Sequence, residues 1–276
     1  MVKILFSDKD DWKMKSEGRY DKNDYNFNYA DFDQVKKLSA YDVVIPLYEK
    51  DIHVLNNRFS KYAYKYLIAS NDVVDFCNDK MRFNEFLIKN GFKNNIPEIL
   101  PRDAGFPYIL KKNFDEWGLN SHIIDSAEKG STLSHLTTHK DYFKQEYISG
   151  ADEHTTHFIF TGNKLQYYKT FKFTFPKSSF IKGLESPPFK TAVIVPVETE
   201  HAYVFEKLLQ TINYNGVGCF DYKIQNGIAK IFELNPRVGG SLPLDLTNFL
   251  ESYISLCKSN KLKLSYWQKV KNVLIK

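Results

Sequence analysis

The stretch Phe220-Asp221-Tyr222-Lys223-Ile224-Gln225-Asn226-Gly227-Ile228-Ala229-Lys230-Ile231-Phe232-Glu233-Leu234-Asn235-Pro236-Arg237 decides what kind of fold this chain has. It reads as two strands joined at Asn226-Gly227, a dipeptide that readily closes a hairpin. Side chains alternate across a strand, so Glu233 and Asn235 share one face while Phe232 and Leu234 take the other. A carboxylate and an amide oxygen at that separation suit a hard divalent cation such as Mg2+. Arg237 follows with a planar fork for a phosphate or carboxylate. Val238-Gly239-Gly240-Ser241 then brings backbone N–H groups near whatever Arg237 binds. Asp221 joins the oxygen set in one register only. A plain two-residue loop pairs it with Phe232 and turns it away; a three-residue loop or a bulge sets it opposite Glu233. The second register is expected, because a carboxylate buried among Phe and Leu without a partner is costly.

Outward from this hairpin, strands alternate with helices at first and hairpins dominate later, a mixed α/β (α+β) pattern and not a plain doubly wound sheet. Strands are expected at 2–6, 41–47, 107–111, 122–125, 143–148, 155–161 and 165–175, with a turn at Thr161-Gly162-Asn163-Lys164. Residues 10–30, crowded with Asp, Asn, Lys and Tyr, are expected to form an irregular surface loop. Asn78-Asp79 caps a helix with Met81, Phe83, Phe86 and Leu87 as its apolar stripe and Gly91 as its stop. Further helices are expected over about 200–213 and from about Asp245. Gly216-Val217-Gly218 has a dinucleotide-loop look, but it lacks a third glycine and runs into a strand. Walker, HExxH and Gly-x-Ser-x-Gly motifs are absent.

Composition narrows the classes. With 276 residues, 43% hydrophobic and 26% charged, the chain is long enough for a substantial core and too ordinary for global disorder. The net charge of +5 comes from lysines, with only Arg19, Arg58, Arg82, Arg102 and Arg237 as arginines, so a nucleic-acid partner is not expected. Residues 258–276 hold six lysines and no acid, with Tyr266-Trp267 among them. A terminal helix with its aromatics inward is preferred there to a membrane-surface segment. Apolar runs are far short of a bilayer span, and Asp8 follows Met1–Phe6 too soon for a signal sequence. Cys77, Cys219 and Cys257 are too scattered for a disulfide framework or zinc site. A soluble cytoplasmic protein is the expectation.

Several separate motifs, in order from about residue 40 to 250, resemble the ATP-grasp ligases. Asp221 with Glu233-Leu234-Asn235-Pro236-Arg237-Val238-Gly239-Gly240-Ser241 is similar to that family's metal-binding strand pair and arginine loop. Glu146-Tyr147-Ile148-Ser149-Gly150-Ala151-Asp152-Glu153 resembles its nucleotide hinge. Pro107-Tyr108-Ile109-Leu110-Lys111 resembles the strand with its adenine-side lysine, Asn78-Asp79-Lys80 its first phosphate-binding lysine, and Tyr41–Pro46 the domain preceding the grasp. The resemblance implies an ATP-grasp fold with a small N-terminal α/β domain (1–77), a grasp domain (78–276) and a lid subdomain (about 104–149).

It also implies ATP and Mg2+, or Mn2+ in its place, with Asp221, Glu233 and Asn235 as metal ligands. Lys80, Lys111, Glu146, Tyr147, Ile148 and Glu153 would hold the nucleotide, and Arg237 would act in catalysis. Lys80 lies in a helical first turn, where free N–H groups already favour phosphate. Glu146 would accept the adenine amino group, backbone at Tyr147 and Ile148 would read the ring, and Glu153 would take the ribose hydroxyls. The lid stretch Lys111–Ser121 departs from the family in holding one glycine. His154 and His157, three apart on a strand, face opposite sides and are read as structural. Trp12, Arg19 and Tyr20 either line an acceptor pocket or lie on the surface. The activity implied is joining a small-molecule carboxylate to an amine through an acyl phosphate, releasing ADP and phosphate. Phosphoryl transfer to a hydroxyl and a non-catalytic nucleotide-binding module are the alternatives. The substrates stay open, as does oligomeric state, a homodimer among the options.

Overall fold

The computed structural model describes residues 1–115, 118–184 and 191–274, the last twelve by backbone alone. Three sheets carry the architecture. In the first, β1 (Val2–Ser7) lies between β2 (Tyr25–Ala30) and β3 (Val43–Ile45), all parallel. Ile4, Leu5 and Phe6 are all buried, as expected for a parallel strand covered on both faces.

Residues 10–30 are not an irregular loop. They form α1 (Asp10–Ser16) and then β2. Trp12 and Ser16, four apart, make the buried face of α1, while Asp10 and Asp11 sit at its positive end and Lys13 and Lys15 at its negative end. Tyr25, Phe27 and Tyr29 alternate with Asn26 and Asn28 in β2, a period of two masked by a polar composition. Trp12 is therefore core, against Phe6, and Tyr20 stacks on Phe27 at 3.7 Å.

Helices α2 (Glu49–Arg58), α3 (Asn71–Asn78) and α4 (Lys80–Leu87) follow. Asp79 caps α4 as expected, accepting from the Arg82 N–H at 3.1 Å. The second sheet, antiparallel in the order β4-β7-β5-β6, contains β4 (Ile99–Leu100), β5 (Tyr108–Lys112), β6 (His122–Ile124) and β7 (Tyr142–Glu146). Short helices α5 (Ala127–Thr132) and α6 (Ser134–Thr137) lie between β6 and β7. Tyr108, Leu110 and Ile124 form a small apolar cluster of this sheet's own, with Leu100, Leu133, Leu136 and Tyr142 against it.

The third sheet is antiparallel, β10-β9-β8-β11-β12. It comprises β8 (Asp152–Thr161), β9 (Lys164–Thr174), β10 (Thr191–Val195), β11 (Gly216–Gln225) and β12 (Ile228–Asn235), with α7 (Thr199–Thr211) before β11. Two large apolar clusters join it to the N-terminal elements, each drawing residues from both sides of Cys77. Gly216 serves that junction. Its φ is +120°, and an added Cβ would lie 2.5 Å from the Ile68 carbonyl carbon. The long α8 (Leu246–Leu274) is tied across by Tyr253, whose hydroxyl donates to Val44 O at 2.7 Å and accepts from the Leu67 N–H at 2.9 Å. The side chains of Tyr266 and Trp267 in the lysine-rich segment lie outside the described residues, as do Glu116 and Trp117 of the lid stretch. No helix among the described residues is long and apolar enough to cross a membrane.

Candidate active site

The β11–β12 hairpin sets the site's register. Its loop is the plain Asn226-Gly227 turn, with Gln225 opposite Ile228, and the pairing then slips so that Tyr222 faces Ile231 and Asp221 faces Glu233. Phe232 is the extra residue of this bulge. The slip makes one correction to simple alternation: Phe232 borders the cavity with Glu233 and Asn235, as does the buried Leu234.

The hairpin borders a cavity of about 1030 Å³, which the sheet β4-β7-β5-β6 borders through Ile109, Lys111 and Gln145. Asn235 Nδ2 donates to Asp221 Oδ2 and to Glu233 Oε1, both at 3.1 Å, so the three side chains converge. The second Asp221 oxygen accepts from the Thr155 hydroxyl and, at 3.2 Å, from Lys182 Nζ. Lys182 also lies 3.4 Å from Glu153 Oε1. Burial alone would lower the Lys182 pKa, but Asp221 and Glu153 carry it above the ordinary lysine value. Burial raises that of Glu153, only partly offset by Lys182.

Two further cations come from separate elements. Lys80, first residue of α4, donates to Asp115 O at 2.6 Å and lies 3.7 Å from Glu233 Oε2. Lys111 on β5 is 9% exposed, with its ammonium 5.5 Å from the Phe232 ring centroid. Burial pushes its pKa down to about 8, against the pull of Glu233. Asn113 locks the two elements together: its Oδ1 accepts from the Met81 N–H at 2.8 Å and its Nδ2 donates to Asp79 at 2.9 Å.

Along the hinge, Glu146, Tyr147 and Ile148 all line the cavity. The Glu146 carboxylate already accepts from the Glu98 N–H at 3.1 Å, and Lys223 donates to Ile148 O at 3.2 Å. Gln145, one residue earlier, is 1% exposed; its Nε2 donates to Pro97 O at 3.0 Å and its Oε1 has no partner. That oxygen is the less committed acceptor of the two neighbours.

Arg237 borders the same cavity, and among the described residues its guanidinium bonds only Val238 O, donating at 3.3 Å. Beneath its loop lies His157, 1% exposed, whose Nε2 is 2.8 Å from Ser241 Oγ and whose Nδ1 accepts from the Gly239 N–H at 3.4 Å. Burial drops its pKa to about 3, so the ring is neutral, and this pattern requires the Nε2 proton. A Cβ on Gly239 would come within 2.8 Å of the ring, so that glycine lets the loop sit down on it. His154 points elsewhere, stacked on Tyr222, with its pKa lowered to about 4 by burial.

The nucleotide, metal and arginine positions singled out from the sequence thus border one cavity, as does Arg19, whereas Trp12 and Tyr20 do not line it. Sequence reasoning missed Lys182, Thr155, Gln145 and the work of His157. The period of two along β8 was a usable signal, since Glu153, Thr155 and His157 share a face. Lys182 had no motif to mark it.

No protein-family model matches the chain, and no curated protein sequence matches it. Solved structures do. The D-alanine–D-alanine ligase from Bacillus anthracis complexed with ATP is 15% identical, with a TM-score of 0.63 over 95% of this chain and 99% of that one. Phosphoribosylamine–glycine ligase from Thermotoga maritima is 11% identical, TM-score 0.63, covering 88% of this chain and 70% of that one. An L-amino acid ligase from Bacillus licheniformis is 13% identical, TM-score 0.56, covering 88% and 68%. Identities this low speak for the course of the backbone, and by that measure the chain has the ATP-grasp fold.

Proposed function

We infer that this chain is an ATP-dependent ligase that joins a small-molecule carboxylate to an amine, releasing ADP and phosphate. The observation that carries the reading is the convergence of Asp221, Glu233 and Asn235 with the cations Lys80, Lys111 and Lys182 and the Arg237 loop on one cavity. In this reading residues 1–77 border the acceptor side, 78–276 form the grasp, and about 104–149 act as its lid.

The substrate carboxylate attacks the γ-phosphorus of ATP; the bond to the β-phosphate oxygen breaks, leaving ADP and an acyl phosphate. The amine then adds to the acyl carbon, and phosphate departs with the formation of the amide. Lys80 and Lys111 hold the phosphates, Gln145 and Glu146 receive the adenine amino group with backbone of Tyr147 and Ile148 beside the ring, and Glu153 takes the ribose. Arg237, with N–H groups of Gly239–Ser241, holds the acyl phosphate and its tetrahedral successor. His157 keeps that loop in place. Lid closure keeps water from the acyl phosphate. Asp221 and Glu233 fit Mg2+ or Mn2+ as carboxylates brought to one point by Asn235, whose Nδ2 faces both and whose Oδ1 would complete the oxygen set with the amide turned over. When bound, such an ion neutralises phosphate charge. ATP as reactant suits a cytoplasmic enzyme.

Across a panel of carboxylates and amines, ADP release is expected only when both partners are present, with an amide found by mass spectrometry. A phosphorylated product in place of an amide would move the reading to a phosphotransferase. Lys111 supplies a pH test. Its ammonium is charged below its pKa near 8, so nucleotide affinity should be flat below that pH. Above it, affinity should fall by up to about tenfold per pH unit. Calorimetry with ADP, repeated on Lys111→Arg, checks this: the fall should vanish in the variant, and a fall that persists there would assign it elsewhere.

A further inference from the structure

One part of the cavity is still without a task. Lys15 on α1 and Arg19 just beyond it line the cavity from the N-terminal side, with Glu49 as the lining carboxylate from that side. Lys15 Nζ would lie 3.3 Å from a Cβ on Gly240, so its ammonium sits over the Arg237 loop. The Arg19 carbonyl accepts from the Thr247 hydroxyl at 3.3 Å, which pins the backbone and leaves the side chain without a hydrogen bond among the described residues. Neither Arg19 nor Arg237 has a carboxylate within ion-pair distance among the described residues, and Lys15 has only the exposed 3.0 Å pair with Asp11 on its own helix. Such a pair is weak and screened, so Lys15 exchanges readily to a ligand.

We propose that Lys15 and Arg19 form an anion subsite, so that the substrate lying against the Arg237 loop carries a second anionic group, carboxylate or phosphate, besides the carboxyl group that reacts. The proposal rests on the ligase reading, in which Arg237 holds the reacting carboxyl group. That group occupies one cation. Arg19, with no ion pair among the described residues, and Lys15, held only by its exposed pair with Asp11, then face the far end of that substrate, where a cationic tail would meet repulsion. Guanidinium groups left without a carboxylate present a fork matched to carboxylate or phosphate oxygens.

Calorimetry on the full chain with ADP present tests this with matched probes: glutarate against glutaramate, and 3-phosphoglycerate against glycerate. At least one dianion should bind about tenfold or more tightly than its neutral-tailed counterpart, the scale of one charge-assisted contact. Which pair responds separates carboxylate from phosphate. The ratio should collapse to about one in the double variant Lys15→Ala, Arg19→Ala, both exposed positions, the contrast being lost with the two charges. Lys13→Ala is the control, since Lys13 pairs with Asp8 and Asp10 and does not line the cavity. Equal binding within both pairs, absent binding included, overturns the proposal, as does a ratio that survives the double substitution. Failure of the ligase reading is separate: dianion binding of this pattern without ADP release for any substrate pair would remove the reaction and keep the subsite.

Discussion

Glu233→Gln is expected to remove ATP turnover, by more than about 100-fold in ADP release, with the fold intact. The substitution keeps shape and an oxygen but removes one of the two charges at the centre of the site. Glu233 accepts from Asn235 and lies 3.7 Å from Lys80. Its side chain is 31% exposed, so folding does not depend on its burial. The melting temperature should shift by less than about 4 °C. A variant releasing ADP at a tenth of the parent rate or faster would dismiss Asp221, Glu233 and Asn235 as the centre of the chemistry.

Arg237→Ala should separate chemistry from binding. Turnover is expected to fall about 100- to 1000-fold, the usual loss when one donor to a developing oxyanion is removed. Nucleotide affinity should stay within about twofold, because the hinge and lysine contacts lie on other elements. Among the described residues the guanidinium bonds only the neighbouring Val238 carbonyl, so no structural network there is lost with it. Single-turnover kinetics beside ADP calorimetry distinguish the two quantities. Equal losses in both would make Arg237 a nucleotide ligand and not a catalytic residue.

How much of this was legible in the sequence depends on the kind of pattern involved. The helix at Lys80 was readable because Asp79 is a local cap, and the hairpin because Asn-Gly turns are local as well. The pairing of Asp221 with Glu233 was inferred from the cost of burying a lone carboxylate, yet the inversion of Phe232 was not, because the bulge itself has no sequence signature. The stretch 10–30 reads as loop from composition because Asn26 and Asn28 mask the alternation of Tyr25, Phe27 and Tyr29. Lys182 reaches Asp221 across 39 residues of sequence, a contact that only tertiary folding creates. Glu146 stands out in the sequence over Gln145 because it carries a charge, whereas the idle oxygen of a buried amide is visible only in three dimensions.

The sheet containing Tyr108, Leu110 and Ile124 carries its own apolar filling, distinct from the two clusters that hold the body. Its ties to α4 run through polar bonds such as those of Asn113 to Met81 and Asp79, so a motion that breaks and re-forms them exposes little of the apolar surface that keeps the chain folded. On the ligase reading, admission and discharge of bulky reactants can then recur many times without approaching denaturation. Turnover frequency and heat resistance become separately adjustable, so substitutions that stiffen the body need not slow the cycle.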